Sequence, residues 1–314
     1  MNPIRGVLRR VLGIRAIGLP VSRCLHAIGC VAASRWASQY SGYTPNTVSF
    51  EVPFSPRGTR PAVMDSAGGT DFIVRQLWLG GLAAVEYPLP LLFARLAHGA
   101  RHVFDVGANS GIYSIIAALA PASSVDAFEP FPPALVCLRR NLALNGLTDR
   151  VFVCEAAAGR ECGQAELYVP TKDFGDVLET AASLNPKFRK SHSEVIRVPL
   201  LTLDEHARRR GVRDVTLMKI DVESQEHVVL EGAAGILDSS RPIVFLEVLE
   251  RGDSGALEAL RRRYRMLVFC LAGSAVLPCA EVRPRAEGTN QVLCPEERRD
   301  DFLGAVRDCG LEAK

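Results

Sequence analysis

The sequence predicts an α/β fold: a mostly parallel sheet, doubly wound, with helices on both faces. Three observations carry that prediction. Apolar strand-like runs alternate with helical patterns from Arg101 onward, as in sheets whose parallel strands are joined by helical crossovers. The stretch "VFDVGANSGIYS", residues 103–114, reads as a strand, a tight glycine turn and a helix, the usual cradle of nucleotide-like ligands. With 314 residues, 48% hydrophobic and 23% charged, the chain has the length and composition to bury a sizeable core.

The elements follow in chain order. Residues 1–50 form a basic arm with no Asp or Glu, carrying Arg5, Arg9, Arg10, Arg15, Arg23 and Arg35 among Val7, Leu8, Val11, Leu12, Ile14, Ile17 and Leu19. We expect a partly helical arm that docks on its own domain or on a partner subunit. Peripheral contact with a membrane surface is the alternative. Neither a sustained apolar signal region nor a small-residue cleavage site stands out, and no apolar run reaches the roughly 18 residues of a membrane span. A cytoplasmic setting is the default, with membrane association as the variant. Residues 51–85 continue a lead-in rich in turn-forming residues, with room for one strand.

The main domain is expected over residues 86–314. Leu89, Leu92, Phe93 and Leu96 have helical spacing closed by Gly99. Strands are expected over 101–106, 124–129, 151–157, 216–221 and 242–248, and two late ones over 266–271 and 291–294. Leu135, Leu138 and Leu142 mark the helix after the second strand. Between about 160 and 203 the rhythm breaks into two alternating segments around a polar loop, which reads as a hairpin-like insertion able to shape a substrate site. Its Tyr168, Phe174, Phe188 and His192 are candidate walls. Nine scattered cysteines show no zinc spacing and suit buried thiols in a reducing compartment. The net charge of +2 gives no reason to expect a nucleic-acid partner.

The glycine turn narrows the ligand. Gly107-Ala108-Asn109-Ser110-Gly111 has Asn109 where a dinucleotide fingerprint needs its middle glycine, and no Gly-Lys-Ser/Thr follows to make a phosphate loop. Asp105 at the strand end would repel phosphate but suits a ligand bearing positive charge. S-adenosylmethionine carries a sulfonium, an ammonium and a carboxylate, and no phosphate. The helix N-terminus favours its carboxylate and Asp105 its cationic side. Glu129, about 20 residues beyond the glycines, stands where an acid accepts hydrogen bonds from ribose hydroxyls.

The segments "FDVGANSGIYS", "AFEPFP", "NLALNG", "LMKIDVESQEHVVLEGA" and "IVFLEV" resemble, in order, the motifs of the FkbM-like S-adenosylmethionine-dependent methyltransferases, and "TNQVLCP" is similar to that family's closing segment. The resemblance covers residues 86–295. It implies a Rossmann-like class I methyltransferase with a seven-stranded sheet, one strand reversed, and methylation of hydroxyl groups on sugars, glycolipids or secondary metabolites. It also marks Glu86 as part of the cofactor site, where a carboxylate holds the ammonium of the methionine moiety. Ser224 departs from the pattern, which has glycine after "DVE".

Candidates for the chemistry lie at strand ends. Asp221 is the first choice as base or substrate-orienting acceptor, and capping of the following helix is its alternative role. Glu223, carried by the family motif, orients substrate or pins the turn; Glu247 ends the fifth strand; His227 lies just inside the following helix. Lys219 is expected to point away from the face of Asp221 and to ion-pair in or beside the sheet. Asp221 and Glu247 offer oxygen ligands of the kind magnesium takes, but no third ligand is evident and no metal is expected. Two other functions compete: a methyltransferase-like scaffold without catalysis, and a nicotinamide-dependent oxidoreductase, which Asn109 disfavours. The tetrapeptide that amide and base N-methylation often uses is absent, "DVES" standing in its place.

Overall fold

The computed structural model describes residues 11–12, 15–27, 30–55, 58–120, 124–170, 182–187 and 192–313. Helices α1 (Arg15–Ala27) and α2 (Val31–Ser41) precede a hairpin of β1 (Thr47–Ser55) and β2 (Gly58–Asp65), then α3 (Phe72–Gly80) and α4 (Leu89–Ala97). The central βα units are β3 (His102–Val106), α5 (Ile112–Leu119), β4 (Ser124–Phe128), α6 (Pro132–Leu144) and β5 (Val151–Cys154). A small sheet of β6 (Ala157–Ala158), β7 (Gly163–Pro170) and β8 (His192–Leu201) interrupts them. The chain continues through α7 (Leu203–Arg210), β9 (Val215–Ile220), α8 (Glu226–Glu231), α9 (Ala234–Ser239), β10 (Ile243–Glu247) and α10 (Ser254–Arg263). It closes with β11 (Met266–Ala272), β12 (Ala275–Cys279), β13 (Asn290–Pro295), α11 (Arg299–Asp308) and β14 (Glu312–Ala313).

The main sheet has nine strands in the order β14-β12-β11-β13-β10-β9-β3-β4-β5, where seven were expected. β13 runs antiparallel to both of its neighbours, β10 and β11, and is the reversed strand. β12 turns back beside β11 and β14 pairs with it at the edge, which supplies the two extra strands. From β3 the chain winds outward through β4 and β5 on one side and, later, through β9 and β10 on the other. That reversal leaves a crevice beyond the carboxyl ends of β3 and β9, where open α/β sheets bind their ligands.

Strand residues alternate between two cores, as the period of two demands. Val103, Val125, Leu217 and Phe245 face the layer of α4, α5 and α6. Phe104, Phe128, Met218 and Leu246 face the layer of α7 to α10. Each fully buried apolar side chain of this size contributes about 1.5–3 kcal/mol, so the two cores hold the strand ends in fixed register.

The lead-in departs from expectation. Instead of a turn-rich stretch with one strand, residues 47–65 form a two-stranded antiparallel hairpin, which also straddles the boundary drawn at residue 50. Val48, Phe50, Val52 and Phe54 of β1 are buried while Thr47, Ser49 and Glu51 are exposed, a strict alternation that the surrounding Pro and Gly had masked. Asn141 and Asn145 of the "NLALNG" segment hold the hairpin: Asp65 N donates to Asn141 Oδ1 at 2.8 Å and Val63 N to Asn145 Oδ1 at 2.9 Å. The third strand also ends earlier than expected, at Cys154, because Ala157 and Ala158 leave for the small sheet.

The arm packs on this lead-in. Ser34 Oγ donates to Ser22 O at 2.8 Å, tying α2 to α1. Trp78 Nε1 donates to Ser38 Oγ at 3.0 Å, and the His26 ring meets Trp78 edge-on at 5.1 Å. Within the insertion β7 and β8 pair antiparallel. Phe174 and Phe188, named above as walls, lie outside the described residues.

Candidate functional site

A cavity of about 290 Å³ opens beyond the carboxyl ends of β3, β4, β9 and β10. Gly107, Asn109, Glu129, Glu86, Asp221, Glu223 and Glu247 all line it. Asp105, Gly111 and His227 do not.

The glycine turn is shaped by close approach. Gly107 has φ +79°, and a Cβ there would stand 1.8 Å from the carbonyl oxygen of Asp221. The ends of β3 and β9 therefore touch main chain to main chain, which only glycine permits. Gly111 (φ +96°) has a different task, since its Cβ would strike Leu138 at 2.4 Å: it seats the start of α5 against α6. Asn109 has φ +51°, and among the described residues its buried Oδ1 has no hydrogen-bond partner. An orphaned buried acceptor in a cavity wall is a place for a ligand donor.

The two acids predicted for the cofactor part company. Glu129 is aimed into the cleft, where Asn109 N donates to Oε2 at 2.8 Å and Phe131 N to Oε1 at 2.7 Å. Burial raises its pKa to about 7 against the pull of those two N–H groups. Each oxygen keeps a lone pair for a diol. Asp105 instead points beneath α5, is 1% exposed, and accepts from Ser114 Oγ at 2.6 Å. Burial pushes its carboxyl to about 6, with the Ser114 hydroxyl opposing. It braces strand against helix and does not reach the cleft.

At the other end Glu86, Asp221 and Glu247 gather around Lys219. Lys219 Nζ bonds Asp221 Oδ2 at 3.0 Å and is 1% exposed, which corrects the expectation that the two point apart: residues two apart in a strand share a face. Burial acts to lower the ammonium's pKa, but Asp221 and then Glu86 raise it above its ordinary value. Nζ also lies 5.2 Å from the centroid of the Tyr113 ring. The Tyr113 hydroxyl donates to Glu86 Oε2 in a short bond, and burial with Glu86 beside it drives that phenol's pKa well up. Glu247 accepts from Thr289 Oγ1 at 3.1 Å. Burial and then the Asp221 charge raise its pKa to about 7, with Lys219 and Thr289 holding it back.

The turn after β9 is held by a residue that the sequence did not single out. Glu226 Oε1 accepts from Val222 N at 3.3 Å and Ser224 N at 3.2 Å. Asp221 is not the helix cap: α8 starts with Gln225 at its N-cap and no side-chain cap bond. Glu223 and Ser224 have φ +55° and +78°, so the glycine that the family pattern places at position 224 answers a left-handed backbone. Ser183 Oγ of the insertion donates to Glu223 O at 2.9 Å. His227, half-buried on α8, is not among the residues that line the cavity. Among the described residues no group of three or more His, Cys, Asp or Glu is placed to hold a metal ion.

The arrangement offers carboxylate acceptors for a diol beside the glycine turn, apolar walls from Phe131, Ile112 and Leu167, and an acidic far end suited to positive charge. These features fit the ribose, adenine and cationic end of S-adenosylmethionine.

Comparison with known proteins agrees. The family model described as "Methyltransferase FkbM domain" matches residues 105–267. The 31-O-demethyl-FK506 methyltransferase FkbM of Streptomyces tacrolimicus is 29% identical over 211 residues, 60% of this chain and 76% of that protein. Protein arginine N-methyltransferase 7 of Aedes aegypti is 46% identical over 50 residues, 16% of this chain and 7% of that protein. Among solved structures, a methyltransferase FkbM from Methylobacillus flagellatus KT aligns with TM-score 0.40 and 15% identity over 62% of this chain and 43% of that chain. On the family match, which takes in the glycine turn, β9 and β10, the chain belongs to the FkbM family of methyltransferases, with S-adenosylmethionine as the methyl donor.

Proposed function

We propose that the protein methylates a hydroxyl oxygen of a small-molecule acceptor, a sugar, glycolipid or secondary metabolite, and that Glu247 takes the hydroxyl proton. The observation that carries this reading is the Glu247 carboxylate, set at a strand end in the cleft with its pKa raised to about 7. A base poised near the working pH combines a large ionised fraction with useful basicity. Asp221 is already engaged by Lys219 and acts through position, fixing that ammonium beside the acids. The Streptomyces relative is named for a 31-O-demethyl substrate, which supports an oxygen acceptor.

Glu129 and the Asn109 side chain would hold the nucleoside part of S-adenosylmethionine, and Glu86, fixed by Tyr113, its ammonium. When bound, S-adenosylmethionine supplies an electrophilic methyl group on a sulfonium. With that donor bound, Glu247 would accept the acceptor's hydroxyl proton, and Thr289 would keep its carboxylate oriented. Alignment of the reacting atoms supplies much of the rate.

The test is a screen of hydroxylated acceptors that reads S-adenosylhomocysteine formation, followed by Glu247→Gln. The variant is expected to lose about 10²–10⁴-fold in kcat while binding S-adenosylmethionine within about threefold of the parent, because the glycine-turn contacts remain. Equal kcat in the variant, or exclusive transfer to amine acceptors, overturns the proposal.

A further inference from the structure

A second cavity, of about 570 Å³, lies between α1, the turn at residues 42–47 and the turn at Gly68–Thr70. Arg23 and Arg75 line it together with His26, Thr44 and Tyr43, and none of its described lining residues is Asp or Glu. Among the described residues neither arginine ion-pairs with a carboxylate. Arg75 is fixed in place, its Nη1 donating to Gly42 O at 3.2 Å, with the rest of its guanidinium fork available. Thr44 is 6% exposed, and among the described residues its Oγ1 has no hydrogen-bond partner, nor has the buried His26 Nδ1. The cavity's described lining holds two arginines and no carboxylate to balance them, and orphaned polar groups in its wall carry a cost that a ligand's oxygens would relieve. Arginine forks match phosphate oxygens in geometry as well as charge.

We propose that this cavity binds a phosphate-bearing ligand, gripped by Arg23 and Arg75 and hydrogen-bonded by Thr44. The cavity has room beside the two arginines for the organic part of a phosphomonoester. Two sources present that chemistry: a soluble sugar or glycerol phosphate, and a lipid headgroup. Ile17 and Val21, exposed on α1 near Arg23, would meet the apolar zone of a bilayer in the second case. The α3 helix is a shared wall. Arg75 faces this cavity while Ile73 and Gln76 face the methyl-transfer cleft, so the site sits one helix from the chemistry without contributing to it.

The experiment titrates the full chain calorimetrically with glycerol 3-phosphate, with glycerol as the uncharged control. In parallel, vesicles of phosphatidylcholine with and without phosphatidic acid are floated with the protein. Wild type is expected to bind glycerol 3-phosphate saturably or to float with phosphatidic acid vesicles. Arg23→Ala/Arg75→Ala is expected to weaken the response at least tenfold, and Thr44→Val about fivefold. Binding of S-adenosylmethionine is unchanged in all variants, which separates this site from the cleft. Response to both probes, or to glycerol 3-phosphate alone, identifies a soluble ligand chemistry; response to vesicles alone identifies the lipid. No saturable response to either probe, or an equal response by wild type and the double-arginine variant, overturns the proposal. Thr44→Val keeps the volume and both charges, so it tests the site even where loss of Arg75 loosens the fold.

Discussion

At the glycine-turn end of the cleft, Glu129 is held by two main-chain N–H groups and faces a turn that only glycine can form. At the end made by β9 and β10, Glu86, Asp221 and Glu247 are held by side chains: Tyr113, Lys219 and Thr289. The first end is set by backbone geometry, two N–H groups fixing the one carboxyl there. The second is a group of charges at short range, where one substitution shifts the behaviour of all the others. The two ends of the cleft are thus built from different materials, main-chain N–H groups at one and side chains at the other.

The sharpest way to break the comparison is at the place where the two ends touch. Gly107→Ala would drive a Cβ into the Asp221 carbonyl and fix a left-handed backbone. It is expected to cost roughly 3–5 kcal/mol and to abolish cofactor binding, as read by thermal unfolding and calorimetry. A variant that unfolds at the parental temperature would show that the strand ends can separate.

Next comes the pair of acids that look alike in sequence. Glu129→Gln loses a charge in the cleft and is expected to weaken S-adenosylmethionine about 10- to 100-fold. Asp105→Asn, under α5, should change that affinity by less than about threefold, its effect appearing in stability instead. Equal losses in titration would place Asp105 in contact with the ligand after all.

The charged end is sharpened by a pH profile. Glu247 works as a base only when ionised, so kcat should fall as the pH drops through about 7. Lys219 lowers the pKa of Glu247. Lys219→Met should therefore carry that acid limb upward by about one pH unit. A limb that stays in place, or moves down, separates Glu247 from the proton transfer.

The smallest effect is local. Ser224 holds φ +78° with its buried hydroxyl unpartnered. Ser224→Gly should raise stability by about 1 kcal/mol without changing the acid limb. Denaturant midpoints would reveal a loss if the serine makes a bond that compensates for its backbone.

Much of this was legible from spacing. The strand–turn–helix at Gly107, the place of Glu129 in the cleft wall, the strand ends at Asp221 and Glu247 and the paired β7–β8 insertion all follow from local pattern and motif order. Asp105 was misplaced because it stands one residue before the end of β3. There a side chain points to a face of the sheet and not off its end, and the face is α5 with Ser114. Lys219 was misread by losing count of the same period. Tyr113, Glu226 and Thr289 stand inside the quoted motifs and Ser183 outside them, but none could be given a role, since their partners are set by how helices and the insertion come together in space. The hairpin at residues 47–65 had a signal, the alternation of Val48, Phe50, Val52 and Phe54, which turn residues around it obscured.

The hydrogen bond from Ser183 to the carbonyl of Glu223 has a consequence for how this enzyme can be altered. The insertion is the natural place to exchange when seeking a new acceptor, yet it is fastened at this point to the turn that carries the acids. A transplanted loop lacking a hydroxyl donor at position 183 would leave that turn to Glu226, so new specificity would arrive together with slower turnover. Grafts that keep the serine should recover both.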